Sequence, residues 1–174
     1  MEPIIDDLKA KARILQALVG KGEPDALRRV RKLPELTQTG DEALPTVIQR
    51  RHCLAVIARE LGFDGWAHAL SVLTGQRADD FGCLLSPPGA AAHWNIWSAD
   101  YDEARAIRAE HGGYLLAYKR HYFIVDRYYL ETLGLDPDDA DWDRMGRDWV
   151  RPRDPAARAR LYAKLVTRRY EAAP

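Results

Sequence analysis

Only two cysteines, Cys53 and Cys83, occur in the 174 residues, too few for the disulfide framework that holds a small secreted domain together. Cys53 lies in the apolar run CLAVIA and reads as a small buried hydrophobe. Net charge is missing too: 26 basic and 26 acidic side chains give a formal charge of zero, which argues against the strongly basic face of a nucleic-acid binder. No stretch approaches the roughly 18 to 20 apolar residues of a membrane span. The amino terminus, MEPIIDDLKAKARILQ, carries acids where a secretory signal has a basic start and an apolar centre. The expectation is a cytoplasmic protein with reduced thiols and no membrane contact.

Catalytic and metal motifs are equally scarce. The five histidines, His52, His68, His93, His111 and His121, show no His-x-x-x-His spacing, and no Cys-x-x-Cys pair accompanies them. Ser86 and Ser98 lie outside any Gly-x-Ser-x-Gly elbow, and no glycine-rich turn runs into Lys-Ser or Lys-Thr. The acids Asp136, Asp138, Asp139, Asp141 and Asp143 lack the central glycine and twelfth-position glutamate of a calcium loop. They read as a solvated helix start. No metal and no cofactor is expected.

What is present is an ordinary globular composition, 47% apolar and 30% charged, long enough for one compact domain or a small domain with a helical module. The first 75 residues read as about four helices. Ile4, Ile5, Leu8, Ala12, Leu15 and Val19 recur at helical spacing, and Pro24 suits the first position of a second helix. PELTQTGDEALP reads as a loop. A third helix is expected over TVIQRRHCLAVIAREL, opened by Pro45, with Val47, Ile48, Leu54, Ile57, Ala58 and Leu61 facing the core and Gly62 as its stop. Asp64 reads as the cap of a fourth, which carries Trp66, Leu70 and Leu73 inward, and Phe63 with Trp66 reads as a bulky pin at that corner.

The run VIARELGFDGWAHAL, together with LKAKARILQALVGKGEPDALRRVRKLPEL upstream, resembles the helical module found ahead of ankyrin repeats in many bacterial proteins. The resemblance covers roughly residues 6 to 74. It implies a helical fold and a docking role, and it brings no catalytic residue; no ankyrin-like repeat follows.

Residues 76 to 92 mark the boundary, and the period changes beyond it. HWNIW reads as a strand near 93–97, with His93, Asn95 and Trp97 on one face and Trp94 and Ile96 on the other. Asp100 reads as the cap of the helix that follows. YLLAYKRHYFIVD reads as a hairpin, with strands near 114–119 and 121–125, or as one long strand. Asp126 caps a further helix, Asp136 with Pro137 opens a short helical turn, and the tail is an amphipathic helix with Leu161, Leu165 and Val166 on its apolar side. The whole reads as α+β: a helical module, residues 1–75, packed on or linked to a small antiparallel sheet with flanking helices, residues 76–174. The second part resembles stretches of bacterial proteins of no assigned activity.

The candidate site follows from these faces. His93, Asn95 and Trp97, joined by Tyr118 and His121 from the hairpin, would give polar groups inside an aromatic surface, as a ligand site needs. The favoured expectation is a binding module that docks a protein, a peptide or a small molecule. A second is a small metal-independent acid-base enzyme, hydrolase-like, using His93 and His121 with Tyr118 near by. A third is nucleic-acid binding through the basic carboxy-terminal helix; an intramolecular pairing of that tail with the acidic segment needs no partner and is preferred.

Overall fold

The computed structural model describes residues 3–76, 79–87 and 95–171. The chain is α+β, mostly helical with one three-stranded antiparallel sheet. It divides into two compact units, residues 1–70 and 71–174.

In the first unit α1 (Pro3–Gly20) buries Ile4, Ile5, Leu8, Ala12, Leu15 and Val19, the stripe its spacing demands. Gly22, at φ +75°, turns the chain into α2 (Pro24–Val30); there the proline fills a position whose N–H would have no helical partner. A short 3₁₀ turn, Pro34–Leu36, lies within the expected loop.

The expected third helix is two helices, α3 (Leu44–Val47) and α4 (Arg50–Glu60). Ile48 and Gln49 between them are extended, with ψ of 130° and 159°. The reason is local: the Gln49 amide donates to Nδ1 of His52 at 3.1 Å, so a side chain takes the N–H that a continuous helix would use. The break also changes the helical phase. Ile48 is 8% exposed but Val47 is 41% exposed, so Val47 does not face the core as expected. α4 buries His52, Cys53, Val56 and Ile57 along one side.

At α5 (Trp66–Leu73) the Asp64 amide donates to Nδ1 of His68 at 3.2 Å, and the buried Phe63 meets the His68 ring edge-on at 5.4 Å. Phe63 pins this corner against a histidine, while Trp66 is half-buried. The division between the units falls inside α5.

The second unit holds β1 (Asn95–Ser98), α6 (Tyr101–His111), β2 (Tyr114–Tyr118), β3 (His121–Val125), α7 (Arg127–Thr132), α8 (Ala140–Arg144) and α9 (Pro155–Glu171). The sheet order is β1-β3-β2, with Trp97 opposite Phe123 and Leu116 opposite Phe123 on the other side. Tyr118 and His121 pair across a two-residue turn, Lys119-Arg120, so YLLAYKRHYFIVD is a hairpin.

One sheet face carries Leu115, Ala117 and Ile124, which pack with Tyr101 and Ala104 of α6 and with Phe81 and Val150. The other carries an aromatic chain: Phe123 meets Tyr129 of α7, Tyr114 meets Trp142 of α8, and Trp142 leads through Trp149 to Tyr162 of α9. The outer edge of β2 is covered, since Leu115 donates to the Arg147 carbonyl and accepts from the Trp149 amide, which protects backbone that would otherwise template aggregation. Carboxylates cap the helices that follow extended chain: Asp100 for α6, Asp126 for α7 and Asp139 for α8. The last stands three residues after the expected Asp136.

Candidate aromatic platform on the sheet

Side chains two apart on a strand share a face, and residues opposite one another across antiparallel strands share it too. The register therefore places Asn95, Trp97, Phe123, His121 and Tyr118 on one side of the sheet. Trp97 is the centre. Its indole lies nearly parallel to the buried Phe123 ring, with centroids 4.6 Å apart and planes at 12°. Tyr118 stands edge-on to it at 5.9 Å and 85°. The indole Nε1–H donates to Oδ1 of Asn95 at 2.7 Å.

These contacts fix the indole on one face and along one edge, yet Trp97 is 45% exposed. The indole is thus packed on Phe123, flanked by a perpendicular phenol and hydrogen-bonded at its edge, with part of its surface exposed. A flat apolar ring can stack on the exposed part of the indole at little entropic cost, because these contacts already hold it in one orientation. The hairpin turn adds Lys119, whose ammonium lies 5.6 Å from the Tyr118 ring centroid.

The predicted residues separate by the contacts they make. Trp97 and Tyr118 form the platform. Asn95 orients the indole, so its side-chain oxygen is already engaged. His121 is exposed at the end of β3, and among the described residues its side chain has no hydrogen-bond or ion-pair partner. His93 lies outside the described residues. Asn95 pairs with Val125, at the end of β3 away from His121, about 13 Å along the strand at 3.3 Å per residue. Of the groups named for the acid-base alternative, Tyr118 lies directly across from His121 in the hairpin. Sequence reasoning missed Phe123, the floor beneath Trp97. Only the strand order reveals that pairing.

The charged segments meet each other. Asp141, buried, accepts from Arg160 at 2.7 Å and from Arg144 at 3.0 Å, and Lys164 pairs with Asp139. The Arg160 hydrogen bonds hold the Asp141 carboxyl down at about 2, against an ordinary 3.8. Arg158 donates to the Trp149 carbonyl, Arg169 to the Leu84 carbonyl, and Arg151 stacks over Tyr101 at 4.0 Å. Much of the basic tail is thereby occupied within the chain. Tyr101 is itself anchored: its hydroxyl donates to the buried Asp148 at 2.6 Å, and burial with that bond pushes its pKa up to about 12.

Among the described residues no group of three or more His, Cys, Asp or Glu is arranged to hold a metal ion, and no helix is long and apolar enough to cross a membrane. No protein family, no curated protein and no solved structure matches the chain.

Proposed function

We propose that the chain is a binding module, and that the Trp97 platform captures a peptide or small molecule presenting a flat apolar ring, such as a prolyl or aromatic side chain. The observation that carries this reading is the combination of exposure and rigidity at Trp97: a large apolar surface held open, with its hydrogen bond satisfied and its underside packed. Exposed tryptophan otherwise disfavours solubility, and rigid aromatic anchors are what dominate binding energetics at interfaces. Tyr118 is the wall. Lys119 and His121 at the rim favour a ligand with an acceptor or negative charge beside its ring.

Residues 1–75 are read with this as a docking module, supported by the resemblance to the helices that precede ankyrin repeats, and residues 76–174 as the ligand-holding domain. A bacterial, cytoplasmic setting belongs to the same reading, supported by two free thiols, Cys53 and Cys83. Burial pushes the Cys53 thiol up to about 11, so it stays an unreactive neutral hydrophobe.

The test is calorimetric titration of the full chain with an acetylated, amidated Ala-Pro-Pro-Pro peptide, with indole and with methyl glucoside. Saturable binding of at least one probe, weakened roughly tenfold or more by Trp97→Ala, supports the reading. Binding that Trp97→Ala leaves unchanged, or none, sinks it.

A further inference from the structure

A groove opens in the helical unit, at the break between α3 and α4. It measures about 680 Å³ and is lined by Glu35, Leu36, Val47, Arg51 and His52, among others. Its apolar floor includes Val47, left 41% exposed by the break. Its polar wall is the first turn of α4, where the helix dipole favours negative charge, although the Gln49 and His52 amides are already taken by the capping box between those two residues.

The hydrogen-bond accounting at His52 points to what belongs there. The side chain is 93% buried, being 7% exposed. Nδ1 accepts from the Gln49 amide at 3.1 Å, so that nitrogen carries a lone pair and the proton of the neutral ring is on Nε2. Nε of Arg51 lies 3.3 Å from Nε2. Arginine has no acceptor atom. Two donors therefore face one another at the groove wall, and each needs an oxygen. Moving the proton to Nδ1 only shifts the conflict to the Gln49 amide, and protonating both nitrogens creates it there as well.

We infer that the groove binds the free carboxyl terminus of a peptide ending in an apolar residue, with the carboxylate accepting from Nε2–H of His52 and from the Arg51 guanidinium, and the last side chain resting on Val47 and Leu36. One carboxylate satisfies both donors at once, and a charge-assisted pair of this kind is the strong form of the hydrogen bond. Arg51 is exposed and free to swing its guanidinium onto the incoming oxygens. Arg50, its neighbour, is tied to the Lys9 carbonyl at 2.6 Å and stays out of the site. Glu35, on the same groove, repels a run of acids, which selects a terminal carboxylate followed back by apolar residues over an acidic peptide.

Histidine-labelled full chain, read by ¹⁵N correlation spectra, tests this. The free protein is expected to show the His52 proton on Nε2. N-acetyl-leucine is expected to shift that nitrogen saturably, while N-acetyl-leucinamide and the N-acetyl-aspartate α-methylamide bind roughly tenfold more weakly or less. Arg51→Gln is expected to weaken N-acetyl-leucine by about tenfold and to leave the urea midpoint unchanged, because Arg51 is exposed. A proton found on Nδ1, no response to N-acetyl-leucine, an equal response to the amide, tighter binding of the aspartyl probe, or indifference to Arg51→Gln each overturns the proposal. None of these outcomes touches Trp97, so this site and the platform stand or fall separately.

Discussion

Trp97 and Phe123 show how one ring can serve stability and another be free for binding. Phe123 is fully buried between Trp97 and Tyr129, so Phe123→Ala is expected to cost about 3 to 5 kcal/mol in urea unfolding. Trp97→Ala removes a half-exposed ring and is expected to cost only about 1 kcal/mol. The reverse ranking would mean that Trp97 is a structural residue. Tyr101→Phe removes the hydroxyl that donates to Asp148 and leaves a buried carboxylate oxygen short of a partner; a loss of about 1 to 3 kcal/mol is expected by the same measurement. At this scale the sequence was informative where period two applied: Asn95 and Trp97 share a face as strand alternation requires. Phe123 was not legible, because the β1-β3-β2 order depends on long-range pairing that no local pattern encodes.

Elements were legible where a side chain does one local job. Asp100 and Asp126 cap helices because a carboxylate before an apolar-periodic run accepts the orphan amides of the first turn. The α3/α4 break was hidden because apolar spacing ran through it; the deciding contact, Gln49 amide to His52, needs the imidazole to fold back three residues. The hairpin turn carries its own strain. Lys119 sits at φ +50°, a region that glycine enters freely and lysine does not. Its amide donates to the Gly82 carbonyl and its carbonyl accepts from the Phe81 amide, so the surroundings hold the conformation in place. Lys119→Gly is expected to raise stability by about 0.5 to 1 kcal/mol, seen as a higher thermal midpoint. A fall would show that glycine's added unfolded-state entropy outweighs the relief.

At the scale of the whole molecule, zero net charge conceals a segregated pattern that the fold resolves. The acids around Asp139 and Asp141 lie against Arg160 and Lys164 of α9. Folding lowers the Asp141 pKa from 3.8 to about 2, so this contribution is fully present above pH 4 or so and drains away as pH falls toward 2. A urea-midpoint series from pH 6 to pH 2 is expected to fall across that window, and Asp141→Asn is expected to begin lower and to flatten it. An unchanged profile would show that the network contributes nothing to stability.

The most direct test of the binding account reads the platform itself. The Trp97 indole Nε1–H resonance, assigned by its loss in Trp97→Phe, is followed while the amidated Ala-Pro-Pro-Pro peptide, indole and methyl glucoside are added in turn. Tyr128, 61% exposed, serves as the control for an ordinary surface aromatic. The account predicts that at least one probe shifts Trp97 saturably, together with Tyr118, and leaves Tyr128 in place. Shifts at Trp97 no larger than those at Tyr128 for all three probes would contradict it.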